Sequence, residues 1–334
     1  MNISNLLWDV ARSDKKQAMP ILSFPAAQKL GVSVETLVKS ADLQAKAMEI
    51  IARETDTIAA VSLMDLSVEA EAFGAQIIFS DDEVPTVVGA IVSEEEEADA
   101  LEVPRVGAGR TGLYVDAVAQ AVKLITDRPV FAGVLGPFSL AGRLMGVTDA
   151  MFYCYDEPDM VHTVLDKVST FTIAYCNAYK AAGANGVMIA EPLGGLLSPA
   201  MAEEFSHAYV KRIVEAVQTD EFAVIYHNCG DNVALMKDGI YGLGAMGYHF
   251  GDAVRMTDML VGAPADVLVM GNVSPAQQFR GGTPESIREE TLKIMAQCCG
   301  NANFVISSGC DIPPQSSWEN IDSFFAAAAA YYKN

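Results

Sequence analysis

Three residues of this chain have the types and the spacing of a catalytic metal site. His227 and Cys229 stand two apart in Tyr226-His227-Asn228-Cys229-Gly230, and Cys310 lies far downstream in Ser308-Gly309-Cys310-Asp311. The pair follows the apolar run Phe222-Ala223-Val224-Ile225, and Cys310 follows Phe304-Val305-Ile306. Side chains alternate along a strand, so residues two apart point the same way and one ion can take both. Imidazole and thiolate are zinc ligands, and three protein ligands leave a tetrahedral ion one open position for substrate. A histidine near a cysteine also describes an ordinary packed pair, since free cysteine is among the most buried residue types. What favours the metal is that all three residues end strand-like runs. A structural zinc would take four ligands in two close pairs, and the chain contains no C-x-x-C.

The elements that must position these residues alternate. Strand-like segments fall at 20–24, 57–62, 130–135, 186–190, 222–226, 245–250, 267–270 and 304–307, with amphipathic helical segments between them at 34–54, 159–182, 200–218 and 284–300 and a final alanine-rich helix at 322–332. Thr283 is the expected N-cap of the 284–300 helix, with Pro284 at its first position. Strands that alternate with helices build a parallel sheet, and eight such units predict a single (β/α)8 TIM barrel spanning residues 1–334, with an N-terminal extension. The stretch 76–104 breaks the rhythm and is expected to be an insertion on the rim, a strand pair followed by a short helix. There Glu94-Glu95-Glu96-Glu97 reads as a solvated helix start with Ser93 as cap and Glu96 closing a capping box.

Polar residues follow the strands, where a barrel of this type keeps its chemistry. Asp65 and Glu69 come after the second strand, Glu191 after the fourth, His227 and Cys229 after the fifth, His249 at the sixth, Asn272 after the seventh, and Cys310 and Asp311 after the eighth. Glu191 and Asp311 are the candidates to orient His227 through its second ring nitrogen or to fill the open metal position. For Glu191 a carboxylate bonded to loop amides is the equal alternative. Asp65, Glu69, His249 and Asn272 are candidates to line the substrate site, with loop-holding roles equally open to the two acids and a structural role to His249. His162 and His207 fall in helices and read as packed or surface residues.

Composition narrows the function classes. Of 334 residues 51% are hydrophobic and 19% charged, enough apolar material for a large buried sheet. A formal net charge of −21 opposes nucleic-acid binding, which needs a basic surface. No apolar stretch approaches the roughly 18 to 20 residues of a membrane span. The N-terminus lacks the basic and apolar regions of a signal peptide, so the expected location is cytoplasmic and the six cysteines are expected to be reduced thiols.

The segments 64–74, Gly136-Pro137-Phe138-Ser139-Leu140-Ala141, His227-Asn228-Cys229-Gly230, Gly271-Asn272-Val273 and Ser308-Gly309-Cys310 resemble the uroporphyrinogen decarboxylase-like superfamily, and within it the methylcobamide:coenzyme M methyltransferase branch. The resemblance covers nearly the whole chain in order. It implies a zinc-dependent barrel, with Zn2+ on His227, Cys229 and Cys310, that moves a methyl group from a methylcorrinoid carried by a partner protein to a small thiol such as coenzyme M. The chain has no D-x-H-x-x-G cobalamin motif of its own. The decarboxylases of the superfamily carry N-terminal arginines for a highly carboxylated tetrapyrrole, whereas residues 21–29 here contain none. That counts against the lyase alternative. Where the coenzyme M enzymes resemble one another in an aspartate after the fourth strand, this chain has Glu191-Pro192 and a Gly194-Gly195 pair, which leaves methyl transfer to another thiol or to tetrahydrofolate open. A non-catalytic zinc-binding subunit is the third reading.

Overall fold

The computed structural model describes residues 1–333. Nine strands form: β1 (Ala60–Val61), β2 (Gln76–Ile78), β3 (Thr86–Val88), β4 (Val130–Leu135), β5 (Gly186–Ala190), β6 (Ala223–Asn228), β7 (Gly247–Phe250), β8 (Leu268–Val273) and β9 (Phe304–Ser308). Seven of them make one parallel sheet in the order β1-β4-β5-β6-β7-β8-β9, while β2 and β3 pair separately and antiparallel. The run from β4 to β9 is almost wholly buried, as a parallel sheet covered by helices requires. Period two then divides the side chains. Phe131, Met188, Ala190, Ala223, Ile225, Leu268, Met270 and Val305 pack together inside the curled sheet, whereas Val134, Val187, Ile189, Val224 and Tyr226 turn outward to the helices. The fold is that of a TIM barrel.

Seven regular strands, not eight, build it. Residues 20–24 form no ladder, because Pro20 lacks the N–H that a strand position needs. The stretch 18–21 nevertheless joins the two edges of the sheet. Ala18 bridges Thr57 in parallel and accepts from the Ile58 amide at 2.9 Å, while the Met19 amide donates to the Ile306 carbonyl at 3.1 Å and the Ile21 amide to Ser308 Oγ at 3.0 Å.

The helices follow the expected pattern with local changes. The 34–54 segment is two helices, Val34–Val38 and Ala41–Glu54, because Ser40 caps the second by accepting from the Leu43 amide. The 200–218 segment carries a π-turn over Glu203–His207. Thr283 caps the helix Pro284–Cys298, with Ser286 completing a reciprocal box. Between residues 76 and 104 the β2–β3 pair is followed by the helix Glu95–Ala100, whose N-cap is Glu94. Its reciprocal carboxylate is Glu97, bonded to the Ser93 amide and hydroxyl at 2.8 and 2.9 Å, rather than Glu96. A helix, Ile3–Arg12, precedes the barrel. Among the described residues no helix is long and apolar enough to cross a membrane.

Candidate metal centre at the carboxyl ends of the strands

His227 closes the inward row of β6, after Ala223 and Ile225, and Cys229 continues that row one step beyond. Parallel register sets His227 beside His249 of β7. Cys310 arrives from the loop after β9. The outcome is a cluster in which the ligand atoms of His227, Cys229 and Cys310 all lie within 4.8 Å of one another. His227 Nε2 is 3.4 Å from Cys310 Sγ, and the two sulfurs are 4.0 Å apart. Zinc–nitrogen and zinc–sulfur bonds at a tetrahedral angle call for about 3.6 Å and about 3.8 Å across those pairs. The donor set and its spacing therefore fit a tetrahedral zinc ion.

Hydrogen bonds fix which nitrogen of His227 is turned toward the two cysteines. Ser307 Oγ donates its single proton to the Met19 carbonyl at 2.7 Å. Its oxygen can then only accept from His249, whose Nε2 is 2.7 Å away. His249 must be the Nε2–H tautomer, leaving its Nδ1 lone pair to accept from His227 Nδ1 at 2.8 Å. His227 Nε2 is thereby stripped of its proton and aimed at Cys310, as a metal-binding imidazole requires. Burial, reinforced by the neighbouring His227, keeps the His249 pKa well below the ordinary histidine value, so it stays neutral and can accept.

The thiols are matched to the same purpose. The hydrogen bond from Cys310, reinforced by His227, holds Cys229 below the ordinary thiol range against the effect of burial, and that same bond holds Cys310 well above it. The opposite shifts describe a pair that shares one proton, which a bound metal would displace.

Glycines admit this convergence of loops. A Cβ on Gly251 would stand 2.5 Å from Cys229 Cα and Cβ, and one on Gly230 would stand 2.5 Å from the carbonyl carbon of Gly195. The Gly194-Gly195 pair is thus explained in part by the backbone of the β5 loop crossing that of Gly230, next to Cys229. Asn272 holds the adjoining loop by donating to the carbonyls of Gly251 and Val254 at 2.8 and 2.6 Å.

The remaining candidate residues occupy other positions. Glu191 is fully buried and accepts from the amides of Phe138 and Ser139 at 2.8 and 3.0 Å and from Ser206 Oγ at 2.9 Å. Burial raises its pKa, and those donors oppose the rise. The second nitrogen of His227 is thus taken by His249, with Glu191 and Asp311 elsewhere. Asp311 Oδ1 is buried without a partner, and Asp311 lines a cavity on the same face of the barrel. Asp65 accepts from Ser67, from Arg110 at 2.5 Å and from Tyr114 at 2.7 Å, and Arg110 also pairs with Glu71 at 2.6 Å. Glu69 accepts from the Leu135 amide at 2.7 Å, and burial pushes its pKa up to about 7. These two acids tie the loop after β1 to the helix Thr111–Leu124 and to the end of β4. His162 bonds Tyr209 and stacks on Phe205, and His207 lies against Glu203. Sequence reasoning did not single out Ser307. Its signal was present, since Ser307 stands two after the inward Val305.

Comparison with known proteins gives this arrangement its family. The family model "Uroporphyrinogen decarboxylase (URO-D)" matches residues 15–331, and the chain belongs to that family. Within it the chain resembles the methylcobamide:CoM methyltransferase branch: it is 28% identical over 280 residues to the methylcobamide:CoM methyltransferase MtbA of Methanosarcina acetivorans, covering 80% of this chain and 78% of that one. A uroporphyrinogen decarboxylase of Neisseria meningitidis is 30% identical over 265 residues, with 76% and 73% covered. The solved structure of a methyltransferase from Methanosarcina mazei superposes with a TM-score of 0.87 over 99% of both chains at 21% identity, which shares the fold.

Proposed function

We propose that this protein is a zinc-dependent methyltransferase, which moves a methyl group from a methylated corrinoid protein to a small thiol, with coenzyme M as the acceptor the MtbA relatives suggest. One observation carries the reading: His227 Nε2 and the sulfurs of Cys229 and Cys310 meet at the mouth of the barrel, with the imidazole turned by His249 to present a lone pair. When bound, zinc would supply the positive charge that keeps an acceptor thiol deprotonated at neutral pH.

The chain's own residues account for the rest. With zinc bound, Cys229 and Cys310 as thiolates and a neutral His227 would balance the divalent ion, so these three residues would leave the sulfur of an added acceptor thiolate electron-rich. That sulfur attacks the methyl carbon on cobalt(III); the new carbon–sulfur bond forms as the carbon–cobalt bond breaks, and its electron pair remains on cobalt as cobalt(I). The displacement is in line, so the corrinoid partner docks on the face formed by the loops after the strands. We read β2, β3 and the helix Glu95–Ala100 as an insertion on the rim of that face, the helix Ile3–Arg12 as an N-terminal extension, and residues 1–334 as a single domain. Reduced thiols fit a cytoplasmic setting.

The test is zinc analysis of purified protein together with methyl transfer from methylcobalamin to 2-mercaptoethanesulfonate, followed by the cobalamin spectrum. About one zinc per chain and zinc-dependent transfer are expected. Transfer that survives complete zinc removal, decarboxylation of a tetrapyrrole without zinc, or preference for tetrahydrofolate over every thiol would overturn the reading.

A further inference from the structure

A second feature of the mouth belongs to none of the roles above. A cavity of about 300 Å3 opens beside Asp311, the residue after the proposed ligand Cys310, and is also lined by Met64, Leu66, Arg143, Arg280, Pro313 and residues 83–87, which lead into β3. Every wall comes from a segment that follows a strand of the barrel sheet, so the cavity lies on the same face as the metal centre. Its two cations differ. Arg280 is spoken for by Glu83 at 2.9 Å on the exposed side. Arg143 is not: its Nε is buried without a hydrogen-bond partner, and no carboxylate offsets the burial that lowers its pKa. An arginine cannot shed its charge to relieve this.

The sequence around Arg143 makes it stand out further. The helix Pro137–Met145 is otherwise apolar or small, Pro-Phe-Ser-Leu-Ala-Gly-Arg-Leu-Met, and all its other residues are buried. A guanidinium held in such a helix and left without a counter-ion at a cavity costs free energy that a bound anion repays. The volume is at the small end for ligand sites, suited to a molecule of a few heavy atoms.

We propose that Arg143 is the anion anchor of the methyl acceptor, so that this enzyme selects small thiols whose tail ends in a sulfonate or carboxylate. The inference rests on the proposed methyl transfer for the identity of the acceptor, but the anion site itself does not. Two planar donors of the guanidinium match two oxygens of either group. Asp311, whose Oδ1 is buried without a partner, lines the same cavity next in the chain to the proposed ligand Cys310, and Glu83 is already paired with Arg280.

The test compares binding by calorimetry in the zinc-loaded wild type, Arg143→Met and Arg143→Lys. The probes are 2-mercaptoethanesulfonate, 3-mercaptopropionate, the neutral 2-mercaptoethanol, and ethanesulfonate, which has the tail without the sulfur. Arg143→Met should weaken both anionic thiols on the order of tenfold to a hundredfold and abolish ethanesulfonate binding, with 2-mercaptoethanol unchanged, the range expected for one charge-assisted pair. Arg143→Lys should recover part of the loss, which a variant damaged in folding would not. The two anionic thiols tell sulfonate from carboxylate preference. Equal weakening of charged and neutral thiols, or no weakening at all, would overturn the assignment. Ethanesulfonate binding that depends on Arg143 in a protein that methylates no thiol would sink the proposed function while leaving the anion site standing.

Discussion

His227 Nδ1 stands 2.8 Å from His249 Nδ1, and only one of the two nitrogens can carry the proton between them. The Met19 carbonyl decides which, because it takes the hydroxyl proton of Ser307 and so commits Ser307 to accept from His249. A backbone carbonyl in the irregular segment that seals the barrel thus sets the tautomer of a candidate metal ligand three hydrogen bonds away. The parallel register that pairs the two histidines is what makes the first of these bonds possible.

Removing that control should weaken the metal without unfolding the barrel. His249→Phe is expected to lower zinc affinity by roughly ten- to a hundredfold, the usual cost of losing the partner of a ligating histidine. Competition with a chromophoric chelator measures it. Ser307→Ala should act in the same direction and also lower stability by about 1–3 kcal/mol, since it leaves the His249 Nε2–H buried and unpaired. Unchanged zinc affinity in both variants would mean that the relay plays no part in metal binding.

Replacing Cys229 or Cys310 by alanine is expected to strip most of the zinc while the circular dichroism of the barrel persists. Both sulfurs lie beyond the last residues of β6 and β9, outside the two apolar clusters that hold the sheet together. Gly251→Ala makes a third test of the same centre, because its new methyl group would press on Cys229 from 2.5 Å. It should lower zinc affinity without replacing any ligand. Full occupancy in that variant would show that the Cys229 loop can shift at no cost.

That His227, Cys229 and Cys310 cluster was legible because their spacing follows from strand geometry: His227 and Cys229 share a face by period two, and Cys310 ends the last apolar run. The barrel was legible for the same reason, through runs such as Val130–Leu135 and Gly186–Ala190. The first strand was not, since an apolar run beginning at Pro20 resembles a strand in hydropathy while lacking a donor for its ladder. The partner of His227 was hidden as well. Nothing in a linear sequence states that residue 227 lies opposite residue 249, and register between β6 and β7 is a property of the assembled sheet. Glu191 was ambiguous in sequence because a carboxylate after a strand can face a metal or a helix start equally well; the amides of Phe138 and Ser139 take it here.

Glu69 gives the fold a pH dependence whose sign runs against the common one for carboxylates. Burial raises its pKa from 4.5 to about 7 in the folded protein. Between those values the folded state holds a proton that the unfolded state has released, so stability falls as pH rises through the window. The contribution is fully present below about pH 4.5 and is lost by about pH 7, an amount on the order of 3 kcal/mol. Urea unfolding of wild type and Glu69→Gln across pH 4 to 8 should show the wild type losing ground relative to the variant, then running parallel to it. A constant difference over the whole range would mean that Glu69 titrates alike in both states.

Thiol capture should release about one proton at neutral pH, because an acceptor of ordinary thiol pKa is bound as thiolate. Calorimetric titration of the zinc-loaded protein with 2-mercaptoethanesulfonate in buffers of different ionisation enthalpy reads this directly. Binding that releases no proton would place the thiol away from the metal.

The last expectation concerns the partner. Leu196 and Leu235 are 42% and 72% exposed on the loops after β5 and β6, on the side of the barrel where Cys229 lies. Large apolar side chains exposed beside a catalytic mouth suit a docking surface better than a solvent face. Leu235→Glu should therefore slow methyl transfer from a methylated corrinoid protein by about tenfold or more, the scale of a well-buried contact at an interface. Transfer from free methylcobalamin should be nearly unaffected, because that donor needs only the open metal position and gains nothing from the rim. The wild type should likewise favour the protein donor, since docking holds cobalt and sulfur in line before reaction. Equal slowing with both donors would assign Leu235 to the shape of the site instead of to docking, and equal rates with both donors in the wild type would remove the need for a docked partner.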